Sequence, residues 1–102
     1  MAIRVRQIEI PPVSRVNRVV RSIPLTEGAQ VLGVYQAGPG SAFIVVRGDL
    51  QAAPAPRDFS AVKAGVNLAA EEIAGVYIGS FSTYWIEDGP EIFHLFQLDE
   101  VP

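Results

Sequence analysis

Residues 76–98 read VYIGSFSTYWIEDGPEIFHLFQL, and how this stretch folds decides the architecture of the chain. It carries six of the nine aromatic residues (Tyr77, Phe81, Tyr84, Trp85, Phe93 and Phe96), the one Trp and the one His. β-Branched and aromatic residues alternate with small and polar ones on both sides of a polar turn at Glu87-Asp88-Gly89-Pro90. That pattern predicts two strong strands joined as a hairpin. In the second strand, Phe93 and Leu95 point one way while Ile92, His94, Phe96 and Leu98 point the other. Apolar groups on both faces predict a central strand covered on both sides, with Tyr77, Phe81, Phe93 and Phe96 as core candidates and His94 among them.

Working outward, the chain has 102 residues, the size of a single domain. Hydrophobic residues make up 49% and charged residues 19%, a balance that supports one packed core and excludes wholesale disorder. Cysteine is absent, which removes disulfides, thiolate catalysis and cysteine-ligated zinc. The opening MAIRVRQIEIPP alternates charge with aliphatics and offers no apolar leader core, and no run reaches the ~18 apolar residues of a membrane span. The expectation is a protein of a reducing cytoplasm that does not enter a membrane.

The net charge of −3 is unevenly spread. Residues 1–57 hold seven arginines against three acids, and residues 58–102 hold one lysine against eight acids. Such asymmetry either marks a partner surface or cancels across neighbouring strands in the fold, and the second outcome is the commoner one.

Before the aromatic stretch, five strands are expected. IRVRQIEI (3–10) alternates aliphatic and basic residues, but Ile8 and Ile10 fall on the face opposite Ile3 and Val5, so a bulge near Gln7 is predicted. RVNRVVRSI (15–23) reads as a strand through its β-branched content. AQVLGVYQA (29–37) and AFIVVR (42–47) flank Gly38-Pro39-Gly40-Ser41 and read as a hairpin. QAAPAPR (51–57) reads as a surface loop, and FSAVK (59–63) as a short strand. One short helix is expected at Leu68–Ala74, with Asn67 as its cap and Gly75 as its stop; strand or loop is the alternative there. The whole predicts a mainly β single domain, residues 1–102, as an antiparallel sandwich or small barrel-like sheet with one short helix.

No motif carries chemistry. Gly38-Pro39-Gly40 lacks the third glycine and the following helix of a phosphate cradle, and Pro39 removes a donor. His94 has no second His or Cys with which to ligate a metal. Ser80 and Ser82 lack a nucleophile-elbow pattern, so a triad with His94 and Asp88 is a chance assembly. No enzyme, metal or cofactor is therefore expected. Arg4, Arg6, Arg15, Arg18 and Arg21 would form an anion-binding strip if the first two strands were neighbours. No aromatic residue interleaves with them, which argues against nucleic acid. Tyr84-Trp85, beside Glu87 and Asp88, is the expected protein-binding contact, because Trp and Tyr are enriched among interface anchors.

The order of IEIPP (8–12), IPLTEGAQVLGVYQAG (23–38), a Pro-rich middle, YIGSF (77–81) and IFHLFQL (92–98) resembles a family of small bacteriophage-encoded proteins with no assigned function. The matching positions are Pro24, Gly28, Ala29, Val31, Leu32 and Val34, then Tyr77, Ile78, Gly79, Phe81, Phe93, His94 and Phe96. Two features depart from the family pattern. Lys63-Ala64-Gly65-Val66-Asn67 stands where the family usually carries a Gly-Thr-Gly-His-type loop, and the Tyr84-Trp85 connection is longer. The resemblance implies a phage accessory protein acting in the cytoplasm of a bacterial host and brings no activity with it. The function expected is non-enzymatic binding of a protein, either a host factor or a second copy. The alternative is a module that sequesters a small ligand or nucleotide.

Overall fold

The computed structural model describes residues 3–11, 17–69, 75–85 and 89–98, with residues 84, 85, 89 and 90 described through their backbone alone. Among these residues there are seven strands: β1 (Ile3–Glu9), β2 (Arg18–Ile23), β3 (Gln30–Gly38), β4 (Ser41–Asp49), β5 (Arg57–Lys63), β6 (Val76–Trp85) and β7 (Gly89–Gln97). They form a three-stranded sheet in the order β1-β4-β3 and a four-stranded sheet in the order β2-β5-β7-β6. All pairings are antiparallel. The two sheets pack together without closing into a barrel, which bears out the mainly β sandwich.

The centre of the chain is one long hairpin folded over on itself. Its tip is Pro39-Gly40, where Gly40 takes the positive φ of 73° that a tight turn requires and that glycine adopts without steric cost. β3 pairs with β4 next to this tip, and β2 pairs with β5 farther out along the same two legs. Between them Thr26 bridges Pro54, the Glu27 N–H donates to the Ala53 carbonyl at 2.8 Å, and the Ala55 N–H donates to the Leu25 carbonyl at 2.7 Å. The legs thus stay paired as they cross from one sheet to the other. QAAPAPR lies at the surface as expected and is tied by these bonds into the crossover, while Leu25 and Ala29 are buried at the fold line.

Cross-strand partners share a face, so the registers define the core. Ala42, Ile44 and Val46 of β4 face Ile23, Phe59, Ala61, Phe81, Phe93 and Leu95 of the second sheet. Ile8, Val19, Val31, Val34 and Ile78 pack around them. Phe81 stacks on Phe93 with ring centroids 5.9 Å apart. Each of these large side chains contributes ~1.5–3 kcal/mol by leaving water, and together they outweigh any single polar contact described.

Four expectations need correction. β1 has no bulge: its register to β4 is regular from Ile3 to Glu9. The alternation is kept, so Ile8 opposes Ile44 on the inner face while Ile3 and Val5 point outward. No helix occurs among the described residues; Leu68 and Ala69 are irregular, and residues 70–74 lie outside them. β7 is central, between β5 and β6, but only Phe93 and Leu95 are in the core. Phe96 and His94 are half-buried on the outer face, and Tyr77 is 53% exposed there.

The inward turn of Ile78 explains this division. The β6–β7 register moves from Tyr77↔Phe96 to Gly79↔Leu95, which makes Ile78 the extra residue of a bulge. Tyr77 before the bulge lies on the outer face and packs edge-on against Phe96. Ile78 reaches the core cluster, and Phe81 follows on the inner face. Gly79 then lets β3 come close: a Cβ there would sit 3.0 Å from Val34 Cγ2 and 3.2 Å from its Cβ.

Candidate functional site

The outer face of the three-stranded sheet is where the alternation of apolar and polar residues breaks the usual rule. β1 directs Ile3, Val5, Gln7 and Glu9 outward, opposite Asp49, Arg47, Val45 and Phe43 of β4. β3 adds Gln30 beside Arg47, Gly33 beside Val45 and Tyr35 beside Phe43. The β3 register shift makes Leu32 an extra residue. Ile3 and Val5 are 59% and 57% exposed, Leu32 49% and Tyr35 48%. Phe43 and Val45, between the two edge strands, are half-buried.

A sheet with one face on a core normally presents polar residues on the other. Here six apolar or aromatic side chains share that other face or its bulge. Single exposed hydrophobics are ordinary, but contiguous groups of about 300–600 Å2 on a monomer are commonly functional. Polar groups are interleaved with them: Gln7 and Glu9 oppose Val45 and Phe43, and Arg47 Nη2 donates to Gln30 Oε1 at 2.9 Å across β4 and β3. The alkyl stem of such an arginine adds to the apolar surface while its head stays wet.

The outer face of the four-stranded sheet carries a smaller cluster. Tyr77 Oη lies 3.4 Å from His94 Nδ1, and the two rings are tilted at 51°. Val20, Ser60, Phe96 and Tyr77 form one row across its four strands. This face is already covered over β5, since Ser60 is fully buried and Val62 nearly so. Over β6 and β7 the face is open, with Tyr77 53% and Ile92 52% exposed.

The residues expected to bind anions divide between the sheets. Arg4 and Arg6 lie on β1, in line with Ile8 on the inner-facing side, while Arg18 and Arg21 lie on opposite faces of β2. β1 pairs with β4 and β2 with β5, so the first two strands are not neighbours as the strip required. Arg15 lies outside the described residues, as do Glu87 and Asp88. Tyr84 and Trp85 close β6, their backbones paired with Pro90 and Gly89, and their side chains lie outside the described part.

Among the described residues no group of three or more His, Asp or Glu is placed to hold a metal ion, and no helix is long and apolar enough to cross a membrane. The apolar outer face is not legible in the sequence, where a bulge near Gln7 is expected to change the faces of β1 and none occurs. The signal that could have found it is Ile8 and Ile10, whose even positions mark the even face of β1 as the inner one.

No protein family, curated protein or solved structure matches the chain.

Proposed function

We propose that this protein is a non-enzymatic binding module that acts through protein–protein contact, and that its contact is the outer face of the β1-β4-β3 sheet. The observation that carries the proposal is the exposure of Ile3, Val5, Leu32 and Tyr35 on the outer face that also holds Phe43 and Val45, a face that no other described strand packs against. The face presents aliphatic side chains, a tyrosine and Arg47, residue types found at interface centres, with the acids Glu9 and Asp49 at its ends. The resemblance to small phage proteins supports an accessory role inside a bacterial host, with a host protein or a second copy as partner.

The alternative of a module that sequesters a small anionic ligand depends on arginines converging. The four described ones are spread over two sheets, which favours the protein-binding function.

A photo-crosslinking residue placed at position 35 and, separately, at the exposed position 53 tests the proposal in bacterial cytosol. A discrete protein adduct forms from position 35, is absent from position 53, and is lost when Val5→Asp is added. Equal labelling from both positions, or an adduct indifferent to Val5→Asp, contradicts it.

A further inference from the structure

β1 is the edge strand of its sheet, pairing with β4 on one side and with nothing described on the other. The Ile10 N–H donates to the Ala42 carbonyl at 2.9 Å, continuing the β1–β4 ladder. In an antiparallel ladder, opposed residues alternate between pairs that exchange hydrogen bonds and pairs that do not. Ile10 and Ala42 are an exchanging pair, so Ile8, Arg6 and Arg4 also bond to β4. Ile3, Val5, Gln7 and Glu9 therefore turn their N–H and C=O groups to the open edge. Such a row is a template for another strand.

The side chains specify what that strand must carry. Arg4 and Arg6 stand two residues apart on one face, and no side-chain hydrogen bond or ion pair joins either to a described residue. Ile3 and Val5 stand exposed on the other face, beside Asp49 and Arg47 of β4. A strand beside β1 would set its own side chains next to these, arginine row to one face and aliphatic row to the other. A second copy pairing through β1 would bring arginines opposite arginines or waste them on aliphatics. Carboxylates at alternate positions match them by charge and by geometry, since arginine binds carboxylate through two parallel hydrogen bonds.

We infer that the free edge of β1 accepts an extended segment of a partner protein in which acidic and apolar residues alternate, adding a fourth strand to the β1-β4-β3 sheet. This rests on the protein-binding function proposed above and names the kind of partner. Backbone bonds to Val5 and Gln7 hold the segment, Arg4 and Arg6 take its acids, and its apolar residues extend the face of Ile3 and Val5.

The test is a titration of isotope-labelled protein with a seven-residue peptide alternating glutamate and valine, followed by amide NMR. Expected are shifts concentrated in β1 and slowed exchange at the Val5 and Gln7 amides. Arg4→Glu with Arg6→Glu weakens binding about tenfold or more, as loss of charge-assisted bonds implies, and transfers preference to a lysine–valine peptide. Gln7→Pro deletes an edge-facing N–H without touching the ladder to β4, a position where a sheet tolerates proline, and it also abolishes binding. If Gln7→Pro fails to fold, the charge reversal decides alone. Absence of shifts at millimolar peptide, binding indifferent to both changes, or a doubled solution mass that Arg4→Glu with Arg6→Glu leaves intact overturns the inference. If adducts from position 35 persist while the peptide fails, only the edge inference falls and the face keeps its role.

Discussion

The side-chain amide of Gln36 bonds in both directions to the backbone of Ser82: Oε1 accepts from the Ser82 N–H at 2.8 Å, and Nε2 lies 3.2 Å from the Ser82 carbonyl. An amide side chain on β3 thus takes the place of a strand residue beside β6, at the seam between the two sheets. The same Nε2 lies 2.7 Å from the Gly38 carbonyl and 3.2 Å from that of Ser41, tying the hairpin tip into the seam. One side chain substitutes for the ladder that would close the barrel.

Gln36→Leu removes these bonds and frees the Ser82 N–H. With a net worth of about 0.5–1.5 kcal/mol per bond, and with Gln36 on the surface, the expected loss is about 1–2 kcal/mol. For a domain of this size that lowers Tm by several degrees, at about 4–8 °C per kcal/mol. Calorimetry reads the shift, and hydrogen exchange at the Ser82 amide accelerates more than at core amides.

Gly79 is needed for the approach of Val34. Gly79→Ala pushes a methyl to about 3 Å from the Val34 side chain, an overpacking that costs about 1–3 kcal/mol. The cost is smaller in a Val34→Ala background, since the obstructing methyls are gone. A double-mutant cycle by urea unfolding measures the coupling; strict additivity would show that Gly79 serves something other than this contact.

Phe93 and Tyr77 belong to the same aromatic stretch and lie on opposite faces of it. Phe93 is fully buried and stacked on Phe81, so Phe93→Ala costs about 3–5 kcal/mol, a large part of a typical domain's 5–15 kcal/mol. Tyr77→Ala, on the exposed face, changes stability by about 1 kcal/mol or less. Chemical denaturation of the two variants side by side separates core from surface.

What was legible in the sequence follows from local rules. The Pro39-Gly40 hairpin, the β5 strand and the two strands of 76–98 came through because alternation and turn residues act within a few positions. The face of each strand did not, wherever a tertiary device intervened. Tyr77 was read as core because the bulge at Ile78 leaves no mark in a single strand's pattern. A bulge near Gln7 is expected from the change of apolar face along β1, and only the regular β1–β4 register shows that Ile3 and Val5 lie outside and Ile8 inside. The helix expected at Leu68–Ala74 falls mostly outside the described residues, and its first two residues, Leu68 and Ala69, are irregular. The Gln36 contact joins residues far apart in the chain and has no local signature. The expected site fared similarly: the arginines depended on which strands are neighbours, and sequence adjacency of β1 and β2 did not make them so.

The binding face is the central claim, and hydrogen–deuterium exchange of the chain, alone and with the protein captured through position 35, tests it most directly. The account predicts slowed exchange in β1, β3 and β4 and unchanged exchange along β6 and β7. Protection concentrated in β6 and β7, with β1 unaltered, would contradict it.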